Sequence, residues 1–311
     1  MINKHAYLIT AHNNFYVLKK LLSLLDDERN DIYIHIDKKI KNFDFASFSN
    51  ICKYSTVKFV PRINVYWGDY SHIENRYILL EQSIDNNYKY YHFLSGVDLP
   101  IKTQDYIHDF FKTNDGKEFV GFSDYMNPEW VDKIHILSRH RKRQKAIGYI
   151  VNQFITRPSI KAQYIIKYNR TNKFQHTFKK GSDWYSITHD FAKYIISNKE
   201  TVKDLFKYAM IPSELYVQTL IWNSNFKQNL YDANSKKNVN DPNDPWSSSL
   251  RYIDWKRGYP YVFRISDFND LINSDKIFAR KFDENIDREI IDKIYMYIKK
   301  LKGHFYMPVR R

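Results

Sequence analysis

The chain is short of the residues that mark several common protein classes. Cys52 is the single cysteine in 311 residues, so no intramolecular disulfide can form and a cysteine-based zinc site has no basis. That usage fits a reducing compartment. Only 8 Gly and 9 Pro occur, which argues against low-complexity or collagen-like structure. No run approaches ~18 consecutive apolar residues, so no transmembrane helix is expected. The first residues, MINKHAYLITAHNN, hold too short and too interrupted an apolar stretch for a signal-peptide core. The expected location is therefore the cytosol, with charge-held contact at the inner face of a membrane as an option. The Walker loop, GxGxxG, HExxH and GxSxG are all missing.

What is present supports a folded α/β protein. Hydrophobic residues make up 43%, enough for one large α/β domain or two small ones sharing a cleft. Aromatics reach 17%, with 26 Tyr; most belong in a core, and some could stack on sugars or bases. The formal charge of +14 implies an anionic partner: a nucleotide diphosphate, a nucleic acid or an acidic membrane surface. Charge alone does not choose among them.

Periodicity predicts strands over residues 6–11, 32–36, 58–60, 90–94 and 119–122, and helices over 15–25 and 70–84. This alternation over the first ~120 residues is typical of βαβ units. Ligands of such sheets bind beyond the C-terminal strand ends, which draws His12, Asp37 and Asp98 toward one edge. The alternation breaks after residue 123. Residues 139–145 (RHRKRQK) are densely basic, and 181–188 reads as a loop leading into a strand. Helices are expected over 190–198, 202–210 and 212–223, the last with Pro212 suited to its first turn. Residues 234–249 read as an exposed polar loop, and 283–302 as a basic amphipathic helix. The whole is expected to be one domain, with residues 1–122 as a nucleotide-binding half and 123–311 as an acceptor-binding and catalytic half.

Four segments could carry chemistry. Glu214 at a helix start is either a capping residue or a general base held by a rigid Pro turn. Arg280 and Lys281, between apolar residues, are either solvated or aimed into a cleft where they would neutralise a diphosphate. The 90–94 strand ends in Ser-Gly-Val-Asp, leaving Asp98 alone where a metal-using enzyme would often place two aspartates; this disfavours a metal at that position. The basic run 139–145 is a solvated face or a contact for an anionic acceptor, membrane or nucleic acid.

Seven segments in order, IHIDKK (34–39), VYWGDYS (65–71), FLSGVDLPIK (93–102), GSDWYSIT (181–188), IPSELYVQTLIWNS (211–224), LRYIDW (250–255) and IFARKFD (277–283), resemble the core-2/I-branching N-acetylglucosaminyltransferase family, which includes the peptide O-xylosyltransferases. The resemblance implies a GT-A-like fold, Rossmann-like in its nucleotide-binding sheet, in a metal-independent variant. It implies inverting transfer from a UDP-sugar, with N-acetylglucosamine as the leading sugar, to a glycan or lipid-linked oligosaccharide acceptor. By matching positions, Glu214 is the catalytic base, Asp37 binds the nucleotide, Tyr66 lies against the uracil and Lys281 contacts the diphosphate. A second diphosphate arginine is expected at Arg264 or Arg251. His12 is a further candidate on the donor side. Asp98, Trp184, Tyr252 and Trp255 are candidates for substrate binding, Trp255 or Tyr252 by stacking on an acceptor sugar. No cofactor beyond the donor and no nucleic-acid partner are expected. The chain lacks the membrane anchor and the cysteine set of the animal enzymes, and so looks like a compact bacterial relative serving surface-polysaccharide synthesis. A nucleic-acid-binding basic protein and a catalytically inactive sugar-nucleotide binder are the alternative readings.

Overall fold

The computed structural model describes residues 4–123, 125–135, 150–231 and 247–304. The basic run 139–145 and most of the polar stretch 234–249 lie outside the described residues. The strands are β1 (His5–Ala11), β2 (Asn30–Ile36), β3 (Thr56–Phe59), β4 (Tyr90–Ser95), β5 (Leu99–Pro100), β6 (Phe122–Ser123), β7 (Lys180–Gly181), β8 (Ser186–Thr188), β9 (Arg251–Ile253) and β10 (Phe278–Arg280). The central sheet runs β3–β2–β1–β4–β8. Its first four strands are parallel, and β8 closes the edge antiparallel to β4. This is the α/β, GT-A-like architecture expected, although the sheet draws β8 from beyond residue 123.

The strand pattern explains why the sheet is buried on both faces. Tyr7, Ile9 and Ala11 of β1 join one core with Leu18, Leu21 and Leu22 of the Phe15–Leu25 helix. Alternate residues Ala6 and Leu8 join the opposite core with Ile73, Tyr77 and Leu80 of the Ser71–Glu81 helix. Such two-sided burial is characteristic of parallel strands, and each large apolar side chain buried contributes about 1.5–3 kcal/mol.

Several element boundaries differ from expectation. The helix expected over 212–223 is broken: Pro212–Glu214 is a separate 3-10 turn, and the helix proper is Tyr216–Trp222. The break follows from Ile211, whose φ of 52° reverses the chain just before Pro212. The strand expected over 119–122 is reduced to a bridge from Phe119 to Ser186 and the short β6, where the Gly121 carbonyl accepts from Ser182 N and Gln218 Nε2. The C-terminal helix starts at Arg288 rather than 283, since Asp287 accepts from the Ile290 N–H and caps it.

A small sheet, β5–β10–β9, packs beside the large one. Arg251 on β9 joins the two. It is 1% exposed and donates to Ser186 Oγ (3.0 Å), Phe93 O (3.1 Å), Tyr185 O (2.9 Å) and Ser249 O. This corrects one expectation: Arg251 lies within the core and does not line the cleft described below, because both of its terminal nitrogens are held by Ser186 Oγ and by carbonyls of β4 and the chain entering β8, while its Nε has no partner among the described residues. Replacing Arg251 with Ala should lower stability by about 3 kcal/mol, by stranding buried carbonyls. Urea unfolding measures this directly. Unchanged stability combined with weakened nucleotide binding would return Arg251 to a ligand-binding role.

Candidate active site

The loops after β1, β2 and β4 open around a cleft of about 680 Å³. The chain leaves β1 toward β2 and β3, then crosses back to β4 on the other side, so β1 and β4 flank the topological switch point where α/β sheets bind ligands. His12 and Asn13 follow β1, Asp37 and Lys39 follow β2, and Ser95, Gly96 and Val97 sit at the end of β4; all line the cleft. Gly96 permits the close fit, since a Cβ there would lie 2.8 Å from the Ala11 Cβ.

One wall is cationic. Arg280 ends β10 and Lys281 follows it, and both line the cleft. Arg280 Nη1 donates to Ser95 Oγ (2.7 Å) and Asp98 Oδ1 (2.8 Å). Asp98 is fully buried and also accepts from Ser95 N (2.7 Å) and Ser95 Oγ (2.9 Å). The geometry therefore departs from the expectation that Asp98 meets a substrate: its oxygens are used in holding Arg280, and it does not line the cleft. Two guanidinium groups pack on the Trp184 ring, Arg280 at 4.3 Å and Arg76 at 4.8 Å from its centre. Lys39 pairs with Asp37 at 3.1 Å and sits 4.7 Å over the Tyr66 ring. Desolvation lowers the His12 pKa against the opposing pull of Asp37, which favours the neutral ring.

Two carboxylates face the cleft from the side opposite in sequence, and their surroundings push them apart. Glu214 ends the Pro212–Glu214 turn, which is set by the left-handed Ile211 and by the Ile211 N–H donating to Gly68 O (3.3 Å). Burial raises the Glu214 pKa; Lys180, whose Nζ is 3.2 Å away, opposes the shift, Asp183 adds to it and His72 opposes it. Burial also works against ionisation of Asp183, but Arg76 at 3.4 Å and His72 at 3.9 Å outweigh it and hold its pKa below the ordinary value. Arg76 is 2% exposed, and its Nε and Nη1, like Asp183 Oδ1, have no hydrogen-bond partner among the described residues. Carboxylates separated in this way divide naturally into a proton acceptor, Glu214, and a fixed negative charge, Asp183.

Of the residues singled out from sequence, Glu214, Asp37, Tyr66, Lys281, His12, Trp184 and Trp255 line one cleft. Arg251, Arg264, Asp98 and Tyr252 do not. Arg264 is exposed, and its backbone N–H is engaged by Asp267 (2.8 Å). Tyr252 packs its ring against Phe263 at 5.6 Å. Sequence reasoning missed Arg76, His72, Asp183 and Lys180 in the assembled site. Asp183 stood within the GSDWYSIT segment and was legible; Arg76 reads as a solvent-facing helix position and was not. A divalent ion does not fit the end of β4, where Asp98 is already committed to Arg280. Among the described residues no group of three or more His, Cys, Asp or Glu is placed to hold a metal.

Residues 5–271 match the Core-2/I-Branching enzyme family. Similar curated proteins include xylosyltransferase 2 of Rattus norvegicus, 22% identical over 92% of this chain, and a xylosyltransferase of Ciona intestinalis, 24% identical over 93%. The chain spans about a third of the length of these relatives, 33% in each case. Among solved structures, mouse xyloside xylosyltransferase 1 in its apo form aligns with a TM-score of 0.37 and 10% identity, over 89% of this chain and 96% of that one.

The raised Glu214 pKa is directly measurable. Carbon-13 NMR should find its carboxyl titrating above the ~4.3 of an ordinary glutamate. Lys180→Met removes a charge that favours ionisation, so it should move the midpoint further up. A Glu214 that titrates at the ordinary value, or is indifferent to Lys180, contradicts the electrostatics described.

Proposed function

The chain belongs to the Core-2/I-branching enzyme family of glycosyltransferases, and on that footing we propose that its cleft transfers a sugar from a UDP-sugar to a hydroxyl of a glycan acceptor, with inversion at the anomeric carbon. The observation that carries this reading is the pairing, in one cleft, of a carboxylate with a raised pKa, Glu214, and an adjacent cation pair, Arg280 and Lys281.

In this reading Asp37 and Tyr66 hold the uridine, and the acceptor hydroxyl lies between Glu214 and the anomeric carbon. Glu214 removes the hydroxyl proton as the new C–O bond forms and the bond to UDP breaks. The electron pair leaves with the β-phosphate, whose growing charge is met by Lys281 and Arg280 without a divalent ion. A base with a raised pKa accepts the proton more readily. Arg280 thus takes the place that sequence had offered to Arg251 or Arg264. The nucleotide half, residues 1–122, supplies the loops after β1, β2 and β4. The half from 123 onward supplies the base and both leaving-group cations, so neither half is competent alone.

N-acetylglucosamine, carried over from the family resemblance, is the first donor to assay, and the xylosyltransferase relatives make UDP-xylose the second. The acceptor we infer is a lipid-linked oligosaccharide of surface-polysaccharide synthesis, met at the cytoplasmic face of a membrane. No helix among the described residues is long and apolar enough to cross a membrane.

Glu214→Gln should reduce kcat by ~10²–10⁴-fold while leaving UDP affinity near its starting value. Near-normal turnover in this variant removes Glu214 as base. Titration calorimetry of UDP in EDTA tests the cation wall separately: Lys281→Ala or Arg280→Ala should weaken binding by at least about tenfold, or ~1.4 kcal/mol. Binding that requires Mn²⁺ or Mg²⁺ would contradict leaving-group stabilisation by side chains.

A further inference from the structure

The positive charge of this protein is concentrated in one stretch. Between Asp132 and Asp183 lie fifty residues without a single Asp or Glu and with 13 Lys or Arg. The rest of the chain, with 36 basic residues (49 less 13) against 35 acidic ones, is close to neutral, so nearly all of the +14 resides there.

Within this stretch the helix Arg157–Ile165, entered through a π-helical turn at Asn152–Thr156, buries none of its own residues. Its apolar side chains face outward: Phe154 is 74% exposed, Ile165 72% and the following Ile166 70%, with Ile150 and Tyr164 also exposed. Arg157, Lys161 and Lys167 are exposed beside them. Scattered single apolar residues on a surface need no explanation, but a helix that turns its bulkiest aliphatic and aromatic groups to water among cations does.

The helix is nonetheless firmly attached. Gln163 exchanges hydrogen bonds with the Ile134 backbone (2.8 and 3.1 Å), Tyr164 OH donates to Glu129 (2.8 Å), and Lys133 donates to Tyr168 O. The segment it grips carries Trp130, whose ring lies 5.1 Å from Lys180, the partner of Glu214. The exposed face is thus built onto the wall that holds the candidate base.

We infer that the 150–168 segment seats this protein on a bilayer with anionic headgroups, Phe154, Ile165 and Ile166 entering the interface and Arg157, Lys161 and Lys167 meeting the phosphates. An exposed helix that presents bulky apolar groups together with cations binds such an interface through both contributions. A nucleic acid or an acidic glycan would use the cations and leave Phe154, Ile165 and Ile166 in water. The surface extends the lipid-linked acceptor reading above, since it would deliver a membrane-held acceptor on the Glu214 side. Its test reads binding and not turnover, so the two readings fail separately.

The experiment is co-sedimentation of the full chain with phosphatidylcholine vesicles, with and without phosphatidylglycerol. Wild type should bind only the phosphatidylglycerol vesicles and lose binding as salt rises. The triple variant Phe154→Ser/Ile165→Ser/Ile166→Ser should bind at least about tenfold more weakly, with an unchanged melting temperature. Arg157→Glu/Lys161→Glu, which leaves the apolar face intact, should also weaken binding and covers the case in which the triple variant is poorly folded. Vesicle binding by both variants that equals that of wild type overturns the inference, as does equal binding of wild type to neutral and anionic vesicles. It is also overturned if the variants abolish self-association in a sizing experiment, or nucleic-acid binding, while wild type ignores the vesicles.

Discussion

The site depends on one buried ion pair, Arg280 with Asp98. Asp98 at the end of the β4 turn accepts from Arg280, from Ser95 Oγ and from the Ser95 N–H, so its charge is fully met in the core. Removing two charges from water costs about as much as their attraction returns, and such a pair contributes little net stability. Its contribution is position. It joins the small sheet to the large one along a line that continues through the Ile101 N–H to Ile277 O bond (2.9 Å) and the Phe282 N–H to Val97 O bond (3.0 Å). That line brings the end of β10, and Lys281 after it, against the loops of β1 and β4. Without it the cleft would keep the loops after β1, β2 and β4 and lose its cationic wall.

The rest of the cleft's electrostatics follows from how the remaining charges face one another. Arg280 and Arg76 both pack on Trp184, and both line the cleft. Arg76 has no room to leave, so its charge is fixed and Asp183 is fixed with it as the matching anion. Glu214 faces Lys180 at 3.2 Å. The charges around Asp183 outweigh its burial and hold it below the ordinary pKa, whereas at Glu214 burial outweighs Lys180 and raises it.

The parallel strands and the Phe15–Leu25 helix were legible because burial on both faces leaves a continuous apolar run, and burial on one helix face leaves a 3.6-residue stripe. Glu214 was legible as a carboxylate held by a proline turn, although the turn is a 3-10 segment that the left-handed Ile211 separates from the following helix. The arginines were not. Arg251 and Arg280 occupy neighbouring parallel strands, β9 and β10, in a register that pairs Phe278 with Arg251 and Arg280 with Ile253. Arg251 is therefore two residues, about 6–7 Å, deeper along the sheet than Arg280. That offset places one guanidinium among core carbonyls and the other at the cleft. Nothing in either strand's own sequence records the register, because it is set by pairing across nearly thirty residues. Arg76 was hidden for a related reason: its burial comes from Phe93 and Trp184, which no periodicity within its own helix can report.

The strand end that carries Asp98 also bears on the choice between a metal and side chains as the counter-charge for a diphosphate. A divalent ion requires several oxygen ligands free to converge on it. Here the only carboxylate of the β4 turn, Ser95 to Asp98, has its oxygens taken by Ser95 and Arg280, and the charge delivered to the cleft is the guanidinium itself. A protein cation fixed by a buried anion has the same sign as a bound ion and needs no reorganisation when negative charge develops beside it. It also cannot be lost to a chelator or to scarcity of the ion. In exchange its geometry is bound to the fold: any change that shifts β10 against β4 moves Arg280 and Lys281 relative to Glu214. The compactness of the seam between the two sheets, with Gly96 admitted against Ala11 for want of a Cβ, is thus a requirement of the chemistry proposed here and not only of packing.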